Sequence, residues 1–254
     1  MSINSAGNLR CAVIACVMML AATTAHAQKA LNHSSAVNGI GGCDEPGYPL
    51  TICKAGSYKL ATDLRVPADS DGIVIQVSLV TLDLNGFSIY QNGSCGSGTG
   101  NGIRSAPALT ALTVLNGTVS CHGRDGVSLF GGKHRVERVT AIANGRWGIV
   151  VGEDSLVENS NTSENGGGMS AGGGCRVAGN TASANGLDGI VAGWGTLVFG
   201  NTARANARFG LFLSGAAYGN NVLADNPGNP GQATQVIGGV PIGPNICIGV
   251  APCQ

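Results

Sequence analysis

Arginine is followed directly by an acid or an aromatic residue at three places in the chain, Arg124-Asp125, Arg146-Trp147 and Arg208-Phe209, with Leu187-Asp188 before the last of them. A guanidinium fork matches a carboxylate, and an aromatic face next to it suits a sugar ring. Set in columns, Arg124, Arg146, Gly167, Leu187 and Arg208 form one line, and Asp125, Trp147, Gly168, Asp188 and Phe209 form the next. Read as chemistry, Arg124, Asp125, Arg146, Trp147, Asp188, Arg208 and Phe209 outline a groove for a carboxylate-bearing sugar. The same columns also describe a row of exposed positions after a turn, where polar and bulky side chains are tolerated and which Gly167 and Leu187 interrupt. Hydrolysis of a glycoside needs two carboxyls facing one bond. The neighbouring acids are Asp44-Glu45, Asp69 with Asp71, and Glu153-Asp154, and the last pair lies between units as a solvated loop.

The elements that would carry those columns are set by a repeat. Val136, Val157, Val177, Val198 and Tyr218 recur every 20 or 21 residues, and Asn144, Asn165, Asn185, Asn206 and Asn226 follow each by eight. Apolar residues alternate within a unit, as in Val127 and Leu129, Ile149 and Val151, Ile190 and Ala192, Leu211 and Leu213. Alternation is the strand period. One short unit cannot bury its apolar side alone, so the units must stack as coils about 4.8 Å apart in a parallel β-solenoid. On that spacing Arg124 and Arg146 are one coil apart and Arg208 lies about 14 Å further along. The Asn row is expected at corners, where Asn tolerates left-handed backbone and stacked amides form a ladder. His122 takes the slot that later units give to Asn, so CHGRD reads as a corner or, with a hydrogen-bonded partner, as a site. Outward between the core positions lie Ser128, Val150, Ser170, Val191 and Phe212, with Trp194 beyond, a partly apolar stripe that the C-terminal tail is expected to cover.

Composition excludes several classes. The chain has 254 residues, 11% of them charged, with 14 basic and 14 acidic residues dispersed and 42 glycines. A nucleic-acid partner would demand a concentrated basic patch, so none is expected. Disorder is excluded by the 43% hydrophobic content. Residues 1–27 read as an export signal, with Arg10, the run CAVIACVMMLAA and Ala25-His26-Ala27. No later stretch is long and apolar enough to span a membrane, so the mature chain is expected to be secreted or periplasmic. Without the signal, seven cysteines remain. Proximity suggests Cys43 with Cys53, Cys95 with Cys121, and Cys247 with Cys253, leaving Cys175 as a buried thiol in phase with Val177. No C-x-x-C pair and no metal-ligand rhythm around His122 or His134 argues for zinc.

Through VERVTAIANGRWGIVV, VAGNTASANGLDGIVA and VFGNTARANARFGLFL, the chain resembles the right-handed parallel β-helix superfamily, the pectin-lyase-like fold, over roughly residues 55–226. GSYKLATDLRVP, VTLDLNGFSI and LTVLNGTVS are similar to the entry coils of small exported bacterial β-helix proteins. The resemblance implies an all-β, single-domain right-handed β-helix with about 20–22 residues per coil. Its expected divisions are a signal peptide at 1–27, an N-terminal cap at 28–60, repeats at 61–226 and an irregular C-terminal cap at 227–254, whose prolines argue against strand. The expected function is a non-catalytic scaffold binding an acidic polysaccharide or a cell-envelope partner along a side face, without cofactor. The alternative is a polyuronate lyase or epimerase, for which the resemblance would add Ca²⁺. Neither the carboxylate set of such lyases nor the Asp and His cluster of the hydrolases is recognisable in the sequence.

Overall fold

In the computed structural model, residues 28–249 and 251–253 are described, and the expected signal segment 1–27 lies outside them. Short strands follow one another around a three-sided prism, each pairing in parallel with the strand one coil away. Face A stacks Leu50, Ile73, Ile103, Val127, Ile149, Met169, Ile190, Leu211 and Val236 in register. Face B stacks Tyr58, Leu82, Val114, Val136, Val157, Val177, Val198 and Tyr218. Face C stacks Leu64, Ile89, Val119, Ala141, Thr162, Ala182, Ala203 and Leu223. All of these point inward and are buried. The chain is a right-handed parallel β-helix of about nine turns. Its core is narrow because one wall is largely alanine from Ala141 onward, which is how a coil closes in only 20 or 21 residues.

Three corners join the faces, and each turns on the same device. One residue adopts left-handed backbone and the next is buried, and on most rungs, though not at His122, that buried side chain accepts the N–H of its counterpart one coil earlier. Between faces C and A the buried residues are His122, Asn144, Asn165, Asn185, Asn206 and Asn226. The Asn185 Oδ1 accepts Asn165 N–H at 3.1 Å and Asn165 Nδ2–H at 3.2 Å, while Asn185 Nδ2–H donates to the Thr162 carbonyl at 3.2 Å. Between faces B and C the ladder runs Ser160, Asn180, Asn201, Asn221, Asn245. Between faces A and B it runs His134, Ser155, Cys175, Thr196. The corner Asn residues were expected to be the left-handed ones. The left-handed residues are instead their predecessors, Ala143, Glu164, Ala184, Ala205 and Asp225, with φ between 51° and 59°. The reason is that Asn must turn its amide inward to satisfy backbone that the strands leave unpaired.

The ends differ from the expected caps. Within 28–60, Lys29–Leu31 pairs with Gly56–Leu60, and Leu50–Ile52 already forms the first rung of face A. A short helix, His33–Asn38, opened by a capping box between Asn32 and Ser35, occupies part of the intervening stretch. Strand also continues into 227–254. Val236–Pro241 pairs with Leu211–Gly219, and Ile246–Ile248 pairs with Val222–Ala224. Pro241 closes its strand and Pro244 lies in the bend between the two, so neither removes a ladder N–H from mid-strand. The tail is therefore a further coil stacked on the one before it and not a cover laid across the outward stripe, and Trp194, in the turn beyond the Ile190–Ala192 strand, stays 80% exposed. The bridges Cys43–Cys53, Cys95–Cys121 and Cys247–Cys253 are all formed. Cys175 is free and buried.

Two substitutions separate the roles at a corner. Asn185→Ala strands the N–H and amide of Asn165 inside the protein and should lower the unfolding free energy by about 2–4 kcal/mol. Ala184→Gly relieves left-handed backbone at a residue with a Cβ and should raise it by roughly 0.5–1 kcal/mol. Urea unfolding of both variants checks the pair, and opposite signs are the required result.

Candidate functional site

At the turn from face C to face A, strand ends and turns deliver side chains from four consecutive coils to one place. Asp71 and Asn101 precede the first residues of face A in their coils, and Arg104 points outward from the strand Ile103–Ser105. Arg124 and Asp125 lie in the turn after His122, and Arg146 stands one coil on, its N–H bonded to the Arg124 carbonyl at 3.1 Å. Together with Thr99, Ser128 and Phe130 they enclose a cleft of about 350 Å³. Glycine makes the approach of these turns feasible. A Cβ on Gly123 would stand 2.1 Å from the Gly98 carbonyl oxygen, and one on Gly145 would stand 2.4 Å from that of Gly123. Cys95–Cys121 ties the 92–100 loop, which supplies Thr99, to the same corner.

The acids of the cleft are held by backbone and by arginine. Asp71 Oδ1 accepts the Asn101 N–H at 2.8 Å and its Nδ2–H at 2.9 Å, while Oδ2 is ion-paired with Arg104 Nε. Burial would raise the Asp71 carboxyl, but the Arg104 and Asn101 bonds and the Arg104 charge outweigh it and leave it below the usual range. Asn101 Oδ1 accepts Asp125 N–H at 3.2 Å, and Asp125 Oδ1 accepts Trp147 N–H at 3.1 Å. Arg124 and Arg146 are exposed and pair with no acid among the described residues. Three guanidiniums against two carboxylates leave one net positive charge at the cleft. On its floor the Ser128 side chain is 1% exposed, and its Oγ has no hydrogen-bond partner. A buried hydroxyl without a partner is uncommon.

The structure brings Arg124, Asp125 and Arg146 together and places the other expected residues elsewhere. Trp147 is half-buried and lies over Gly167. That contact corrects the columns, because Trp147 pairs with Gly167 and not with Gly168. Phe209 is wholly buried, so its ring is part of the interior and does not face a groove. Asp188 accepts Phe209 N–H at 3.1 Å and faces Arg208 at 3.6 Å, with burial raising its carboxyl against both. Arg208 also donates to Asn229 at 3.0 Å and lies 5.8 Å from the Phe209 ring centre. These three residues form a satisfied cluster of their own. Asp71, Asn101 and Arg104 were not singled out from the sequence as site residues. Their signal was present, since Asn101 precedes Gly102-Ile103, the upstream member of the same glycine column.

His122 lies behind this site. It is fully buried, its N–H donates to Asn144 Oδ1 at 3.0 Å, and neither ring nitrogen has a hydrogen bond of normal geometry. Burial brings its pKa down to about 4, with the Ile89 carbonyl and the Asp71 charge opposing. His134 holds a defined tautomer, its Nδ1 accepting Leu112 N–H at 3.3 Å and its Nε2 facing the Phe130 carbonyl at 3.1 Å. Burial also raises the Cys175 thiol above its usual range, leaving it unreactive. The Ca²⁺ that a lyase would use finds only Asp71 and Asp125 in the cleft, both engaged and surrounded by arginines, so the residues present do not fit that ion. Among the described residues no group of three or more His, Cys, Asp or Glu side chains is placed to hold a metal.

No family model matches the sequence, and no curated protein matches it. Among solved structures the chain is similar to the periplasmic alginate epimerase AlgG, at 12% identity, covering 89% of this chain and 84% of that one with a TM-score of 0.49. A single-site variant of that enzyme gives 16% identity over 69% of this chain and 55% of its own length, with a TM-score of 0.45. The A-module of the Azotobacter vinelandii mannuronan C-5 epimerase AlgE4 gives 12% identity, 78% and 88% coverage and a TM-score of 0.45. The chain thus spans little more than half the length of the AlgG variant.

The burial of His122 sets an acid limit. The unfolded chain takes up a proton below the ordinary histidine value of 6.5, whereas the folded chain resists until about 4. Stability is therefore full above 6.5 and falls as pH drops toward 4, by about 3 kcal/mol from this residue. His122→Asn should flatten that fall, as read by denaturant unfolding at a series of pH values.

Proposed function

We propose that the protein is a non-catalytic β-helix scaffold, exported to an oxidising compartment in the periplasm or outside the cell, that holds an acidic polysaccharide at the Arg104, Arg124 and Arg146 cleft. The observation that carries this reading is the convergence of three guanidiniums on a buried serine hydroxyl without a partner. A carboxylate entering the cleft would accept bonds from Arg124 and Arg146 and from Ser128 Oγ–H, meeting donors that the fold leaves unused. Arg104, fixed by Asp71, keeps the local field positive without moving. The exposed Phe130 at the rim offers an apolar face for a sugar ring. Three disulfides fit an oxidising compartment. Among the described residues that line the cleft there is no histidine, lysine or tyrosine, and Asp71 is bonded through both carboxylate oxygens and Asp125 through Oδ1, which favours binding over proton transfer.

Retention on immobilised pectate and alginate tests the reading. The intact protein should be retained, with retention weakening as salt rises. Arg124→Ala and Arg146→Ala should each weaken binding about tenfold. Unchanged retention in both variants would overturn the site. Release of unsaturated uronide, or a change in the uronate composition of alginate, would overturn the non-catalytic part in favour of a lyase or an epimerase.

A further inference from the structure

A second notch opens on a different edge of the prism, where face B meets face C. The outward row there reads Glu137, Glu158, Ala178, Phe199, Gly219 in register. The left-handed row beside it reads Arg138, Asn159, Gly179, Gly200, Asn220. Where the rows drop to Ala178, Gly179 and Gly200, a depression of about 330 Å³ forms. Its walls are a Glu158–Arg176 ion pair on one side and the half-buried ring of Phe199 on the other.

At Gly179 a Cβ would stand 2.8 Å from Asn159 Oδ1, but backbone and crowding do not explain Gly200. Asn159 and Asn220 hold the same left-handed conformation with full side chains. Gly200 has nothing within 4 Å of where a Cβ would stand, so a side chain is not excluded for lack of room. What glycine does at 200 is leave the edge of Phe199 open. The ion pair is likewise only part used. Arg176 Nε meets Glu158 Oε1 at 3.0 Å, whereas the terminal guanidinium nitrogens of Arg176 and Glu158 Oε2 make no hydrogen bond among the described residues. The Arg176 side chain is 53% exposed and that of Glu158 is 21% exposed.

We infer that this notch is a second glycan site, for a neutral hexose or pentose unit. The pair presents donors and an acceptor side by side with no net charge, which suits vicinal hydroxyls that both donate and accept. An anion would meet Glu158, and a purely apolar ligand would leave the ion pair without solvent. The Phe199 ring offers the flat face against which the C–H side of a pyranose packs. Because this edge differs from the one that bears the cationic cleft, two separate polymer chains can be held at once, one acidic and one neutral. The second site stands on its own residues and does not require the first to bind.

Titration of the intact protein with cellohexaose, maltohexaose and xylohexaose, followed by calorimetry and by ligand-detected NMR, tests the inference. At least one probe should bind, and Phe199→Ala and Arg176→Ala should each raise its Kd about tenfold. Gly200→Asn, which borrows the residue used at 220 in the same conformation, should block the notch while leaving the unfolding midpoint unchanged. Arg146→Ala should leave neutral-sugar binding intact, which separates this site from the acidic one. The inference is overturned if none of the three probes binds, if Phe199→Ala and Gly200→Asn leave binding unaltered, or if Arg146→Ala abolishes it.

Discussion

Everything in this molecule depends on finding acceptors for the backbone N–H groups at the corners. In a coil of three short strands, three bends per turn leave the parallel ladders and point peptide groups into an interior that water does not reach. A buried N–H without a partner costs about 1–3 kcal/mol, and about nine coils repeat the problem at every corner. The protein answers with side chains, most buried corner residues accepting from the corner one coil before. Asn serves best because its carbonyl takes the backbone bond while its amide donates onward, as Asn180 does to Asn201 Oδ1 at 3.1 Å and to the Val157 carbonyl at 2.8 Å.

The need is for an acceptor of the right reach, not for one residue type. At the corner between faces A and B, His134, Ser155, Cys175 and Thr196 occupy successive rungs, and Cys175 Sγ accepts the Ser155 N–H at 3.3 Å. Cys175 and His134, which would attract attention as nucleophile or base in isolation, are therefore structural here. His122 is the rung where the substitution is least comfortable, since imidazole fills the slot without completing its bonds. The cost falls on acid stability, directly behind the cationic cleft.

Because ladders and core consume the inward side chains, chemistry is confined to outward rows and turns. There the coils are free to differ. Arg124 and Arg146 stand where later coils have Gly166, Leu187 and Arg208, and Phe199 stands where its neighbours have Ala178 and Gly219. Departures from the repeat thus mark both clefts. They do not reveal which departures converge. Arg208 and Phe209 look as distinctive in sequence as Arg146 and Trp147, yet one is locked to Asp188 and Asn229 and the other is inside the core.

The period of Val136, Val157, Val177 and Val198, the alternation around it and the Asn row are enough by themselves to require a parallel solenoid, because each is a local rule repeated until stacking is the one way to bury it. The cysteine pairs were likewise legible, each closing a short loop. Three things awaited the folded chain. The left-handed residue proved to precede the Asn, since burial of the amide decides which residue bends. The final prolines proved compatible with one more coil, since they fall at a strand end and in a bend. And Asp71, Asn101, Arg104 and Ser128 joined Arg124 and Arg146 only through coils that lie about 4.8 Å apart in space while 20 to 30 residues apart in sequence, a distance over which pattern specifies stacking but not the direction in which an outward side chain points.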